Sequence, residues 1–385
     1  MKIKLLSRRA SRALAFIAAA GTLITSVSGA DAKQRGARAA APARPTAATP
    51  RRARNVIVFL GDAGGLPTLS AAGILAHDRP QSLFIQSMPH IGLSDTSSRN
   101  RWVTDSAAGM TAIMTGHKTD NGVVSMLPQP NGARVAVKTF LEHAEERGLS
   151  TGVVTNMPIW DATPAATYAH VASRKNKDEV LAQLLKPRFG DGVDVIVGRG
   201  AKDAMTSFAK HGQTPAQAFA AAGYQYGDDP ALIARAPRAA VLRDSDYAPL
   251  PVVEATIGQL VRNPRGYFLM VEWDMHTDDP RAGLRHVIEM DDMIRRVAQI
   301  AGPDTLILFT ADHSFGLRMN GGERGHPLVT QFVPSASGDD PVISVEDTHT
   351  GEEVIAAAQG PGAEQVQGFF ANTALFAMLM KAMNW

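Results

Sequence analysis

Five short runs dominated by Val, Ile, Leu and Phe limit what this chain can fold into: 55–61 (NVIVFLG), 152–155 (GVVT), 193–198 (VDVIVG), 267–272 (YFLMVE) and 305–310 (TLILFT). A strand with one face in water alternates apolar with polar residues. A near-continuous apolar run fits a strand covered on both faces. Helix-like segments separate the runs, at 137–147, 177–186, 214–222 and 282–300. The alternation predicts an α/β fold, with a largely parallel central sheet and helices on both faces. In such sheets, sites form just beyond the carboxyl ends of the strands.

Residues able to carry chemistry stand where that rule puts them. Asp62 follows the first run, and Asp161 and Thr163 lie in the loop beyond the second. Glu272 ends the fourth, with Asp274, His276 and Asp278 directly after it, and Asp312 and His313 follow the fifth. A single acid after a strand usually caps the next helix. Four clusters of hard-cation ligands at corresponding strand ends instead predict a metal site assembled from distant parts of the chain. There are no cysteines, so such a site must use imidazole, carboxylate and hydroxyl ligands, and the chain folds without disulfides.

The amino-terminal segment reads as a leader. Lys2, Lys4, Arg8, Arg9 and Arg12 precede an apolar stretch from Ala13 to Val27, and Ala30-Asp31-Ala32 is a small-residue exit. This is the pattern of a secretory signal peptide over 1–32, cleaved after Ala32, and it implies a periplasmic or secreted protein. Ser7-Arg8-Arg9 leaves both the Sec and the twin-arginine route open. The stretch is short for a membrane span and no later one qualifies, so no stable membrane insertion is expected. Residues 33–54, rich in Ala, Pro, Arg and Thr without periodicity, read as a disordered linker. That leaves 55–385 as the folded domain. Twelve of the 39 Lys and Arg lie before residue 55, with one of the 37 acids, so the rest holds 27 bases against 36 acids. The small positive charge of the whole chain belongs to its leader and linker, and the acidic domain excludes a nucleic-acid partner.

Residues 103–122 (VTDSAAGMTAIMTGHKTDNG) set Ser106 at the start of a helix that Asp105 or Ser106 can cap and Gly116 can end. A helix amino terminus has unpaired N–H groups and partial positive charge, so it holds phosphate well. Serine there can be a cap or a nucleophile. His117 and Lys118, at the far end, are given no catalytic role, and Trp273 reads as core packing.

Six motifs, in order, resemble those of the alkaline phosphatases: Gly61-Asp62, Asp105-Ser106-Ala107, Asp161-Ala162-Thr163-Pro164 with Ser173-Arg174-Lys175, Val271-Glu272, Thr310-Ala311-Asp312-His313 and His349-Thr350-Gly351. The resemblance covers nearly all of 55–385. It implies that family's three-layer α/β sandwich and a phosphomonoesterase with two zinc ions and one magnesium acting through phosphoserine on Ser106. It also implies small phosphomonoester substrates and a homodimer. By the same resemblance, Asp62 bridges two metals, Asp312 and His313 bind one zinc, His349 binds the other, and Asp161, Thr163 and Glu272 bind magnesium. Arg174 corresponds to the arginine that grips substrate phosphate. After Glu272 the chain departs from the family pattern, which has an Asp and then a His four residues later. One alignment pairs Asp274 with Asp278, another Asp274 with His276, and either alters the ligand set of the leaving-group metal. A phosphodiesterase or sulfatase on the same scaffold, or a non-catalytic phosphate- or metal-binding relative, is the alternative reading.

Overall fold

The strands fall where apolar residues must be shared between two cores. The computed structural model describes residues 52–328 and 342–385. The leader, and the linker as far as 51, lie outside the described residues. Fourteen strands are described: β1 (Asn55–Asp62), β2 (His90–Ser94), β3 (Met126–Pro128), β4 (Arg134–Ala136), β5 (Ser150–Pro158), β6 (Val195–Arg199) and β7 (Gln225–Gly227). They continue with β8 (Ala239–Arg243), β9 (Tyr267–Asp274), β10 (Thr305–Thr310), β11 (Ser314–Met319), β12 (Ile343–Thr350), β13 (Val354–Gln359) and β14 (Gly368–Phe370). Ten form one sheet in the order β14-β2-β13-β10-β1-β9-β5-β6-β8-β7. From β10 to β7 every neighbouring pair is parallel, while β13 runs antiparallel to β10 and β2.

Alternate residues of the central strands enter opposite cores. Val56, Val58 and Leu60 of β1 join one cluster and Ile57 and Phe59 the other. Phe268 and Met270 of β9 likewise oppose Tyr267, Leu269 and Val271. Helices cover both faces, the two-sided burial that the continuous runs require.

All five expected strands form, with edges set by local bonds. The third starts at Val195 rather than 193, since the Asp194 carboxylate accepts the Thr151 N–H at 2.8 Å from the neighbouring strand. The first expected helix begins at Phe140 rather than 137, where Thr139 and Glu142 form a capping box. The last begins at Pro280, two residues before 282, because Asp279 caps it by accepting the N–H groups of Arg281 and Ala282. Packed chain also starts before the expected linker ends. Ala53 is buried and donates its N–H to the Ala382 carbonyl at 2.9 Å, and Arg54 donates to Asp304 at 2.8 Å. No helix among the described residues is long and apolar enough to cross a membrane.

Candidate active site

The site lies at the carboxyl ends of β10, β1, β9 and β5, four neighbours in the sheet. Register does much of the assembly. Leu60 of β1 pairs with Thr310 of β10 and with Glu272 of β9, Asp62 pairs with Asp274, and Thr155 of β5 pairs with Glu272. Residues hundreds of positions apart thus reach one rim of the sheet.

The helix Ser106–Thr115 packs beneath this rim with all ten residues buried. Asp105, not Ser106, caps it, accepting the Ala108 N–H at 3.1 Å, and Gly116 ends it at φ 74°. The Ser106 hydroxyl is therefore free of capping duty. Its Oγ lies 3.2 Å from His313 Nε2 and donates to Asp62 Oδ1 at 3.4 Å. Gly109 allows this close approach: a Cβ there would sit 2.9 Å from the Asp312 carbonyl oxygen. His313 Nε2 in turn lies 3.3 Å from Asp62 and 3.4 Å from Asp312 Oδ2. Asp62, Asp312 and His313 bring three ligand atoms together within 4.8 Å, all from buried residues.

A second group joins His276, His313 and His349. Met275 explains how His276 gets there. Its side chain is buried beneath Gly61, where a Cβ would meet Met275 Sδ at 2.5 Å, and its N–H donates to the Asp62 carbonyl at 2.8 Å. With Met275 turned into the core, its neighbours Asp274 and His276 meet on the other side. Asp274 Oδ1 takes the His276 N–H at 3.1 Å and lies 2.7 Å from His276 Nδ1. Asp278, already past the turn, is exposed and belongs to neither group. Asp274 contributes no atom to either group; its carboxylate meets His276 Nδ1, which also lies 3.8 Å from Asp62 Oδ1.

The three imidazoles are oriented alike. Nδ1 of His276 meets Asp274, Nδ1 of His313 meets the Ser314 carbonyl at 3.1 Å, and Nδ1 of His349 meets the Thr104 carbonyl at 3.0 Å. An oxygen acceptor holds a proton on Nδ1 and leaves Nε2 facing the other groups of the site, the orientation a metal-binding imidazole requires. Nε2 of His276 and of His349 face each other at 3.5 Å. Two such nitrogens need a cation between them, either a proton or a metal. Phe315 braces both rings, edge-on to His276 with centroids 4.9 Å apart.

Asp161, Thr163, Glu272 and Arg174 complete the rim. Thr163 and Glu272 are buried, and Thr163 Oγ1, Glu272 Oε1 and Asp312 Oδ2 lack hydrogen-bond partners. Such orphaned oxygens are costly unless a cation or water satisfies them. Asp161 Oδ1 accepts from Arg174 at 2.9 Å, and Asp105 Oδ2 lies 3.5 Å from the same guanidinium, which fixes Arg174 near the helix head.

The electrostatics are those of a crowded anionic centre. Burial and the charges of Asp62 and Asp161 raise Glu272 well above its usual range. Burial, then Asp62, pushes Asp312 up to about 6. Burial acts the same way on Asp62, but the hydrogen bond to His313 and the charges of His276, His313 and Arg174 outweigh it and hold Asp62 low. The histidines divide. Burial opposes charge on His276, yet its bond to Asp274 and the nearby carboxylates raise it to about 9. Burial and the charge of His313 lower His349 to about 4. Orphaned acceptors, facing imidazoles and carboxylates short of positive charge all suit divalent cations.

The family model for alkaline phosphatase matches residues 53–235 and 238–345. The chain belongs to the alkaline phosphatase family. It is a phosphatase of a metal-dependent family, with phosphoesterase activity. It is 28% identical to an alkaline phosphatase of Escherichia fergusonii over 86% of each chain. It is 29% identical to streptomycin-6-phosphate phosphatase of Streptomyces griseus over 89% of this chain and 94% of that one. The fold matches the alkaline phosphatase of Antarctic bacterium TAB5 with TM-score 0.74 at 22% identity, covering 88% of this chain and 99% of that one. The Thermus thermophilus enzyme gives 0.75 at 22% identity, covering 87% and 92%.

Around the phosphatase site stand residues that the six motifs do not include. Thr155 donates its hydroxyl to Glu272, Asn156 accepts the Asp274 N–H at 2.8 Å, and His286 Nδ1 meets the Asp274 carbonyl at 2.6 Å. Thr155 and Asn156 stand at the carboxyl end of an expected strand, the signal that picks out Asp62. His286 lies inside a helix and carries no such signal. Trp273 is buried, packs against Tyr247 and donates to Glu289 at 2.9 Å, as core packing predicts. Lys118 is tied to Asp95 and Ser97.

Proposed function

We propose that this phosphatase hydrolyses phosphate monoesters through a phosphoserine on Ser106. The observation that carries this reading is Ser106 Oγ, uncapped at the head of a buried helix and within 3.4 Å of both His313 Nε2 and Asp62 Oδ1. Imidazole with carboxylate suits zinc, and the all-oxygen set of Asp161, Thr163 and Glu272 suits magnesium, which supports two zinc ions and a magnesium. Asp62, Asp312 and His313 would hold one zinc, His276 and His349 the other, with Asp274 orienting His276, and Asp161, Thr163 and Glu272 the magnesium. When bound, such ions supply positive charge that lowers the pKa of a nearby hydroxyl and stabilises a departing alkoxide.

The chain's own residues do the rest. Ser106 Oγ attacks phosphorus in line while the ester P–O bond opposite it breaks. Arg174 offers two parallel donors to the non-bridging oxygens, and its bonds to Asp161 and Asp105 fix the plane of that fork. Free N–H groups at the helix head add to the same anion cradle. Water then cleaves the phosphoserine, releasing phosphate and restoring the hydroxyl.

The test is acid-quenched turnover followed by peptide mapping. A phosphate adduct on the peptide holding Ser106 is expected, and Ser106→Ala should abolish both adduct and turnover. Wild-type turnover in Ser106→Ala would sink the reading. Residues 1–32 are proposed to export the enzyme to the periplasm or the medium as a catalytic domain over 55–385 behind its linker. A mature chain beginning at Lys33 is the expected result of amino-terminal sequencing.

A further inference from the structure

An aromatic side chain is left in water beside the site. Trp102 is 89% exposed, although it lies four residues before Ser106 in chain that is otherwise held tightly. Ser98 and Arg101 close a turn, with the Ser98 N–H donating to the Arg101 carbonyl at 3.1 Å. Arg99 donates its N–H to the Thr119 carbonyl at 2.9 Å, and its guanidinium pairs with Asp120. Asn121 ties both ends, donating its N–H to Asn100 at 3.0 Å and its side chain to the Val103 carbonyl at 3.1 Å. A loop fixed this firmly does not leave an indole in solvent for want of order. Burying so large a side chain elsewhere would have been favourable.

Its position is equally specific. The Thr104 carbonyl, two residues on, holds His349 Nδ1, and a Cβ on Gly351 would lie 3.4 Å from both the Trp102 carbonyl oxygen and Val103 Cγ2. The Trp102 backbone and the Val103 side chain therefore lie beside the chain that carries His349. In-line attack by Ser106 sends the ester oxygen and its alcohol away from Ser106. We infer that Trp102, with the half-exposed Val103 beside it, is a leaving-group subsite that takes flat or ring-shaped alcohol moieties, aryl groups above all, by stacking on the indole face. This rests on the phosphomonoesterase reading and adds to it a preference among monoesters.

The test compares naphthyl phosphate with ethyl phosphate on the metal-loaded full enzyme, in wild type, Trp102→Ala and Trp102→Phe. The selectivity ratio, kcat/KM for naphthyl over ethyl, should fall roughly tenfold in Trp102→Ala and recover in large part in Trp102→Phe. Naphthyl phosphonate, which is not hydrolysed, should quench indole emission in wild type but not in Trp102→Ala, and inorganic phosphate should quench neither. An unchanged ratio, or equal quenching in wild type and Trp102→Ala, would overturn the subsite. So would a change of oligomeric state in Trp102→Ala by sedimentation, since the indole would then be a subunit contact. If wild type hydrolysed neither ester, the monoesterase reading would fail, and phosphonate quenching would still decide the subsite.

Discussion

The two sides of the site are built differently. Asp62, Asp312 and His313 are at most 3% exposed and rise straight from β1 and β10, whose hydrogen-bonded register fixes their spacing. His276 and His349 are half-buried, one on the loop after β9 and the other on the β11–β12 hairpin, where Phe315 lies opposite His349. The Ser106 side concentrates buried negative charge that needs a cation. The His276–His349 side is imidazole-rich, more exposed, and carried on the loop after β9 and the end of β12, outside the main sheet. Strand register holds the carboxylates beside the Ser106 helix, whereas the loop after β9 and the small β11–β12 pair can vary without disturbing the main sheet.

The largest expected effect tests the buried side. Asp62→Ala should lower kcat/KM by roughly a thousandfold or more, the scale of losing charge stabilisation at the reacting atoms, and elemental analysis should show metal missing. A loss under tenfold would mean that Asp62 is not central. His349→Ala should cost roughly a hundredfold on alkyl phosphates and distinctly less on aryl phosphates, whose alcohols leave unaided. His313→Ala should hurt both ester classes alike. The same leaving-group dependence in both variants would erase the distinction between the two sides.

Asp274→Asn sharpens the comparison from within the imidazole side. If its carboxylate only orients His276, metal affinity should weaken by roughly 10- to 100-fold, and excess metal should restore most turnover. If metal cannot rescue it, Asp274 is a ligand. Protons give an independent check. Against burial, the bond to Asp274 and the nearby carboxylates raise His276 to about 9 while burial and His313 lower His349 to about 4, so without a bound ion a proton at neutral pH goes to His276. Metal uptake there must displace it, so affinity should rise with pH up to about 9 and then level off, with proton release seen in unbuffered titrations. Affinity that fell over this range would contradict the arrangement. The smallest effect belongs to Asp278→Asn, which should change activity and metal content by no more than about twofold, as for other exposed sites.

Much of this architecture is legible in the order of the residues. A run such as NVIVFLG can lie only between two apolar layers, and its parallel partners must end together, so pattern alone puts Asp62, Glu272 and Asp312 on one rim. Ser106 is legible as a helix head, though its role is not. Which residue caps that helix depends on the backbone angles at Asp105, and only there does the hydroxyl become free. The strands β2, β13 and β14, beyond β10 in the sheet, escape a reading by pattern because none carries a continuous Val, Ile and Leu run.

The segment after Glu272 shows the limit most clearly. Composition offers Asp274, His276 and Asp278 as equivalent ligands, and spacing does not rank them. The choice is made by Met275, which fills the space left by Gly61, and by Asp279, which starts the next helix and leaves Asp278 outside. The order of residues alone settles the parallel core, its buried strands and the rim where chemistry collects, because burial on two faces and strand polarity are local, repeated constraints. Packing between distant segments settles which imidazoles face the site and which carboxylate stands beside His276. Those directions depend on single contacts between residues far apart in the chain.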